Sequence, residues 1–191
     1  TLGIEIEGRP ATGTVEQPQA RQLSISSAYF ATLGSAIVSG RDFDDRDNGD
    51  STPVVIVNRR FASLYWQSED VLGRRLRVHS GTTAGPWLTV VALAPDLHQG
   101  DGARNVIEPS IYRPLRQRPA RGAWLLAHTS SPAPRALIAP MRQQIQQADP
   151  AVPVWLGPYT LEEWNTGSYW KRLISGGLFT AFAMMALFLS G

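Results

Sequence analysis

The sequence predicts an α+β fold, and three observations lead to this prediction. Short runs rich in Val, Ile and Leu, either alternating with polar residues or continuous, recur along most of the chain and are typical of strands. Fewer segments place apolar residues at helical spacing. The connections are rich in turn formers, since the 191 residues include 17 Gly and 14 Pro. Strands that alternate with two or three helices therefore predict the α+β class.

The predicted strands lie at 4–7, 20–25, 53–58, 73–80, 86–98, 111–114, 124–128 and 152–156. Residues 53–58 form a continuous apolar run of the buried type. In 73–80, Arg75 and Arg77 fall on one side of the strand, and Leu76 and Val78 on the other. The segment 111–114 is a short strand or an edge piece that ends at Pro114.

The first two predicted helices follow strands directly. Ser26 or Ser27 caps a short helix, which Gly34 ends. The second helix covers 59–73, and Phe61 and Leu64 belong to its apolar face. Together with the strands, these faces predict a buried core. Its members are Val55, Ile56, Val57, Phe61, Leu64, Leu76, Val90, Val91, Leu126, Leu137, Met141 and Ile145.

Two further helices are predicted near the end of the chain. The segment 134–150 is amphipathic, and Pro140 either kinks this helix or lies in its first turn. Thr160 and Glu163 have the spacing of a capping box, which begins a helix that continues toward the last residues.

Residues 173–191 carry no charge, and aromatic and basic side chains precede them at Trp164, Tyr169, Trp170, Lys171 and Arg172. A bilayer core about 30 Å thick needs roughly 20 apolar residues in helix, and Trp and Tyr gather at its interface. We therefore expect 169–191 to begin a transmembrane helix. The alternative is a buried helix of a globular core. We also expect the chain to be a fragment of a longer protein.

Composition excludes several classes of protein. Hydrophobic residues make up 43% and charged residues 18% of the chain, which argues against disorder. A net charge of +2, without a basic and aromatic platform, argues against nucleic acid as a partner. The chain has no Cys and no nucleophile, phosphate-binding or zinc-protease motif. The sequence therefore predicts no catalytic, cofactor-binding or metal-binding residues and no enzyme activity.

Three polar clusters have alternative interpretations. Asp42, Asp44, Asp45, Asp47 and Asp50 either bind calcium or form a solvated turn whose side chains bond their own backbone; the ligand spacing favours the turn. His79, His98 and His128 lie at the ends of different predicted strands. Asp96, His98 and Asp101 either join a metal site, if a further ligand converges on them, or are polar residues of a loop after a strand. Arg113, Arg116, Arg118 and Arg121 either contact an anionic surface or form a solvated connector, which we favour.

Seven segments share their order and spacing with a known family. They are S-x-x-YF-x-x-LG at 26–34, GRDF at 40–43, VVIVN-x-x-FA-x-x-YW at 54–66, DVLGRRLRV at 70–78, WLTVVALAPDLHQG at 87–100, IYRPL at 111–115 and ADPAVPV at 148–154. In this order they resemble the extracytoplasmic (periplasmic) core domain of ABC-transporter permeases of the MacB and FtsX type. The resemblance covers nearly the whole chain.

This resemblance implies a non-catalytic domain with two lobes. Residues 1–168 are expected to form it, with a porter-like lobe at about 1–40 and 119–158, and an inserted β-rich lobe at about 41–118. The implied partners are the membrane, the remaining transmembrane helices of the permease, a cytoplasmic ABC ATPase, and a second permease in a dimer or pseudo-dimer. The implied location is the extracytoplasmic side of a bacterial inner membrane. The implied role is to transmit ATP-driven conformational change for export or mechanotransmission.

Two other functions remain open from the residues alone. A membrane-anchored sensor or ligand-binding domain with a single span would have the same composition. An anchored hydrolase would need carboxylate or His chemistry that no motif indicates.

Overall fold

The computed structural model describes residues 2–9, 18–81, 83–98, 106–120, 122–154 and 160. It divides into two compact units. The first consists of Thr1–Leu97 and Val106–His128, and the second of His98–Asn105 and Thr129–Gly191.

Eight strands among the described residues of the first unit form one sheet. They are β1 (Leu2–Ile6), β2 (Gln19–Ile25), β3 (Ser39–Gly40), β4 (Val54–Asn58), β5 (Arg75–Ser80), β6 (Thr83–Ala84), β7 (Leu88–Ala94) and β8 (Ser110–Pro114). Their order is β3-β7-β4-β8-β2-β1-β5-β6, and β5 also pairs with β7. This additional pairing joins β7, β4, β8, β2, β1 and β5 into a closed ring of strands.

The ring encloses the larger apolar core of the first unit. Each of its six strands contributes buried side chains; those of β1, β4 and β5 come from alternate positions, whereas a register shift in β7 interrupts the alternation. Helix α2 (Arg59–Tyr65) packs on this core through Phe61 and Ala62, which are both fully buried. The strand members are Ile4, Ile6, Ala20, Val55, Val57, Leu76, Val78, Leu88, Val90, Leu93 and Ile111.

A second core lies on the opposite face of β4, β7, β8 and the end of β2. Helix α1 (Tyr29–Thr32) inserts Phe30 there, and Phe43 joins it from the following loop. Phe30 meets the ring of Tyr112 edge-on at 5.0 Å between centroids. Strands β4 and β8 are thus covered on both faces, which explains why every residue of both is buried.

Several predicted elements are confirmed. The α+β class is observed, and the strands predicted at 4–7, 20–25, 53–58, 73–80, 86–98 and 111–114 correspond to β1, β2, β4, β5, β7 and β8. Strand β8 lies between β2 and β4, so it is a central strand rather than an edge piece. The serine cap predicted for α1 is wrong, because its N-cap residue is Ala28 in the left-handed region at φ 63°.

Two residues of the predicted core in the first unit are less buried than expected, each for a local reason. Leu64 is 46% exposed because α2 presents Phe61, Ala62 and Tyr65 to the core and ends at Tyr65, before the predicted residue 73. Val91 is only partly buried because the register of β7 against β4 shifts there: Val55 pairs with Val90, but Ile56 pairs with Ala92. A β-bulge leaves Val91 as the extra residue.

The strand predicted at 124–128 is also wrong. Residues 124–128 are exposed and pair with no described strand, and Leu126 is 41% exposed. An apolar alternation alone does not make a strand when no neighbour completes the backbone hydrogen bonds. The described part of the strand predicted at 152–156, residues 152–154, is likewise irregular.

The second unit contains a 3-10 turn at Pro134–Leu137 and helix α3 (Ile138–Ala148) among its described residues. Pro140 lies in the first turn of α3, as predicted. None of the residues of α3 is fully buried. Leu137 is 37% exposed, so the core position predicted there is wrong, whereas Met141 and Ile145 are partly buried.

Both the predicted lobes and the predicted membrane span stay predictions. Strands from 1–40 and from 41–118 join the same sheet, so the compact units divide the chain elsewhere than at residue 40. The two-lobed arrangement stays a prediction. No helix in the described part of the chain is long and apolar enough to cross a membrane. Residues 161–191, with the predicted span and most of the capping box, lie outside the described residues.

Candidate functional site: an arginine and tryptophan surface beside strand β5

The outer face of β1 and β5 carries paired charges. Glu5 lies directly opposite Arg77 in the antiparallel register, and the guanidinium donates to both carboxylate oxygens at 2.8 and 2.7 Å. His79 Nε2 lies 3.0 Å from the same carboxylate. The hydrogen bond from Arg77 lowers the pKa of Glu5, and partial burial opposes this effect. This network holds the Arg77 side chain in one orientation.

The ring of Trp87 lies against the guanidinium groups of Arg75 and Arg77. The guanidinium carbon of Arg77 lies 4.7 Å from the Trp87 ring centroid, and that of Arg75 lies at 5.4 Å. The pairing of Leu76 with Leu88 in β5 and β7 places Trp87 beside Arg77. Stacking on indole suits the planar guanidinium and leaves its edge free to donate hydrogen bonds.

A cleft of about 480 Å³ lies next to this surface, between the end of β1, the end of α2 and the start of β5. Its volume falls in the range of small-ligand sites, which is roughly 300 to 1,000 Å³. Its lining combines aromatic, basic and backbone groups. The lining residues are Ile6, Glu7, Gly8, Arg9, Tyr65, Trp66, Arg74 and Arg75.

The aromatic wall of the cleft is held by the core. Tyr65 Oη donates to the Gln19 carbonyl at 2.6 Å and accepts from the Gln19 N–H at 2.9 Å. The rings of Tyr65 and Trp66 both contact Phe61 edge-on, with centroids 4.8 and 5.2 Å apart. Because Phe61 is fully buried, both aromatic side chains are fixed before any ligand arrives.

Positive charge exceeds negative charge in the cleft. Glu7 pairs with Arg75 at 3.1 Å. Arg9 donates to the Tyr65 carbonyl at 3.3 Å, and Arg74 lies over the Trp66 ring at 5.6 Å from its centroid. Within the described residues, no carboxylate pairs with Arg9 or Arg74. Among the described residues, the cleft therefore presents two guanidinium groups without a carboxylate partner.

The acidic loop forms a structured turn. Asp44 Oδ1 accepts the Arg46 N–H and Asn48 Oδ1 accepts the Asp50 N–H, so the predicted bonding of side chains to their own backbone is confirmed. Arg41 binds the buried Asp47 through two bonds of 2.7 and 2.8 Å. The Arg41 hydrogen bonds lower the pKa of Asp47, and the Arg46 side chain lowers the pKa of Asp44 to about 2. The carboxylates of Asp44 and Asp47 are therefore bound by groups of the loop itself.

The other predicted polar residues lie apart. Asp96 Oδ1 accepts the Arg60 N–H at the start of α2, at 2.8 Å, while His98 and His128 are exposed. Asp101 lies outside the described residues. Among the described residues, no group of three or more His, Cys, Asp or Glu side chains is placed to hold a metal ion.

The prediction that four arginines lie in a solvated connector is wrong for Arg113. Arg113 is only 8% exposed because it lies inside strand β8. Arg116 pairs with Asp45 at 3.0 Å, and Arg118 is exposed. Arg121 lies outside the described residues.

Sequence reasoning found part of the surface. The alternation in β5 correctly placed Arg75 and Arg77 on the outer side. Trp87 could have been found only by pairing 75–77 with 87–89 as neighbouring strands. Arg9, Tyr65 and Trp66 meet through contacts between residues more than fifty positions apart, as in the bond from Arg9 to Tyr65, and no local pattern signals such a meeting.

Comparison with known proteins shows similarity in structure only. No protein-family model matches the chain, and no curated protein matches it. A domain of a protein described as a permease, from Porphyromonas gingivalis, is 15% identical with a TM-score of 0.50, over 87% of this chain and 77% of that chain.

Two transporter domains give similar values. The periplasmic region of MacB from Actinobacillus actinomycetemcomitans is 15% identical with a TM-score of 0.49, over 80% of this chain and 73% of that one. The extracellular domain of the noncanonic ABC-type transporter YknZ from Gram-positive bacteria is 14% identical with a TM-score of 0.48, over 77% and 74%. The resemblance inferred from the sequence motifs is therefore confirmed as a similarity of fold, carried by the match to the permease domain.

Proposed function

We propose that this chain is a non-catalytic, extracytoplasmic domain of an ABC-transporter permease, which transmits ATP-driven conformational change across a bacterial inner membrane. The observation that carries the proposal is the fold shared with the Porphyromonas gingivalis permease domain over 87% of this chain. In this proposal, residues 1–168 form the extracytoplasmic part, and 169–191 begin a transmembrane helix. The partners are the other permease helices, a cytoplasmic ATPase and a second permease in a dimer or pseudo-dimer.

The contacts of the first unit support a mechanical role. A domain that transmits movement must resist deformation, and a closed ring of strands leaves few ways to shear one strand past another. Cross-strand ion pairs brace the outer face, with Glu5 bound to Arg77 and Glu7 bound to Arg75. The bond from the Asn58 carboxamide to the Glu108 carbonyl, at 3.0 Å, adds a tie between β4 and the residues before β8.

The alternative is a sensor or ligand-binding domain with one membrane span. The cleft beside β5 is the observation that favours it, because a preformed concave site is what such a domain needs. The two functions differ in the segments that the gene encodes after residue 191. Further transmembrane segments and a neighbouring ATPase gene support the permease, whereas a cytoplasmic signalling domain supports the sensor.

Helix continuity between the domain and the membrane provides a functional test. The sequence predicts a helix that begins after Thr160 and continues into the span. Proline at residue 168 removes a backbone donor and costs about 3 kcal/mol of local helix. We expect Ser168→Pro to uncouple ATP turnover from transport in the assembled transporter, whereas Ser168→Ala leaves coupling unchanged. ATPase activity and export are measured in the same vesicles. Normal coupling in Ser168→Pro would contradict transmission through this segment.

A further inference from the structure

The cleft beside β5 has the composition of a protein-binding hot spot. Residues that dominate binding energy at interfaces are enriched in Trp, Tyr and Arg, and they lie around pockets. Five of the eight lining residues belong to these types: Tyr65, Trp66, Arg9, Arg74 and Arg75. Tyr65, Trp66 and Arg75 already contact the core or a neighbouring strand, so these three side chains lose little conformational entropy on binding.

The charges of the cleft select an acidic ligand. Glu7 neutralises Arg75, which leaves the guanidinium groups of Arg9 and Arg74 at two positions of the same lining. A guanidinium binds a carboxylate through two parallel hydrogen bonds, and stacking of Arg74 on Trp66 leaves its edge available for them. The half-buried ring faces of Tyr65 and Trp66 offer apolar contact between the two charges.

The lining favours a peptide over a phospholipid surface. Membrane-binding patches gather several exposed basic residues without carboxylates. Here Glu7 forms part of the wall, and the basic groups stand around a concave aromatic surface. We propose that the cleft binds an acidic peptide segment of a partner protein, with carboxylates on Arg9 and Arg74 and an apolar side chain against Tyr65 and Trp66. This proposal goes beyond the proposed function and stands or falls without it.

The test measures binding of a defined peptide to the full 191-residue chain. The probe is a fluorescein-labelled peptide of sequence Glu-Leu-Glu-Phe-Glu-Leu-Glu, and the control probe carries Gln at every Glu. We expect the acidic probe to bind at low salt and the Gln probe to bind at least roughly tenfold more weakly. Arg9→Ala and Arg74→Ala should each weaken the acidic probe by roughly tenfold or more.

Matched controls separate the site from general charge attraction. Arg142→Ala removes an exposed arginine of α3 and should leave binding unchanged. Arg74→Gln retains most of the side-chain volume, and it replaces Arg74→Ala if that variant melts early. In the unaltered chain, the Nε–H resonances of Arg9 and Arg74 should shift on peptide addition, whereas that of Arg142 should not.

Three results would overturn the proposal. The first is no binding of the acidic probe by the unaltered chain. The second is equal binding by the unaltered chain, Arg9→Ala and Arg74→Ala. The third is displacement of the peptide by inorganic phosphate, or by phosphatidylglycerol vesicles, at the concentrations that saturate the cleft, which would assign it to phosphate groups. The assay uses neither the ATPase nor the assembled transporter, so a failure of coupling in the transporter does not affect its outcome.

Discussion

At the scale of single residues, Arg113 places a guanidinium group within the sheet of the first unit. It follows Ile111 by two positions in β8, so alternation puts it on the face that the ring of strands encloses. Its Nε and the Oε1 of Gln22, on the neighbouring strand, are buried without a hydrogen-bond partner among the described residues. Burial and then the charge of Arg118 lower the pKa of Arg113. Burying a charged side chain with an unsatisfied N–H group is costly.

Replacing this charge should therefore stabilise the protein. We expect Arg113→Met to raise the free energy of unfolding by about 1 to 3 kcal/mol, because Met keeps an aliphatic stem and removes the desolvation cost. Arg118→Met is the matched control, and a change at this exposed position should stay within about 0.5 kcal/mol. Urea unfolding of the two variants measures both values. A loss of more than about 1 kcal/mol in Arg113→Met would mean that the guanidinium has an acceptor.

The contacts of single residues show the structural role of the GRDF motif at 40–43. Phe43 fills the second core and is 4% exposed. Arg41 binds Asp47, and the Asp42 side chain accepts the Phe43 N–H at 2.8 Å. These contacts indicate that the motif shapes a turn. The sequence predicted a turn here but not the pairing of Arg41 with the buried Asp47, because five acidic residues in one loop give no sign of which one points inward.

At the scale of elements, β3 depends on a close approach to β7. Gly40 has φ +87°, and a Cβ atom added to it would overlap the carbonyl oxygen of Val91 and lie 2.8 Å from the Cα of Ala92. The approach occurs at the bulge in β7, where Val91 is the extra residue. A side chain at residue 40 must therefore push β3 away from the sheet.

This geometry predicts a difference between two glycines. Gly34→Ala meets only conformational strain, since φ is +67° and a Cβ added there would have nothing within 4 Å, so it should cost about 1 to 2 kcal/mol. Gly40→Ala adds a steric clash, and we expect roughly 1 to 3 kcal/mol beyond that loss. Thermal unfolding of both variants measures the difference. Equal losses would show that β3 lies farther from β7 than this clash requires.

Sequence patterns predicted some features of single strands and helices but not others. Strand β4 was predictable because its apolar run is continuous, and β5 because Arg75 and Leu76 alternate. The face of α2 that packs on the core was not predictable, because Phe61 belongs both to the predicted face and to the observed one. Only packing against the ring decides that Ala62, rather than Leu64, is buried.

At the scale of the whole molecule, pairings between strands distant in sequence determine the order of the strands in the sheet and the residues that meet on its surface, which local sequence patterns do not predict. The pairing of β5 with β7 closes the ring, and it depends on the register of Leu76 against Leu88 rather than on either strand alone. The same register brings Trp87 to Arg77 and so builds the outer surface. The fold class was therefore predictable from periodicity, whereas the cleft was not, because Arg9 and Tyr65 come from separate elements.

We propose above that the domain transmits movement when the transporter hydrolyses ATP. The chain has no Cys, so Ser63→Cys, at an exposed position of α2, introduces one labelling site into it. Spin labels on the two copies of the domain in a dimeric transporter report the distance between them by electron resonance. The isolated 191-residue chain serves as the control and should not respond to ATP.

The most direct measurement compares this distance in nucleotide-free and ATP-bound transporter. A domain that transmits conformational change should give two distinct distance distributions, while the width of each stays narrow because the first unit is braced by its ring of strands. One unchanged distribution in a transporter that hydrolyses ATP would contradict the account.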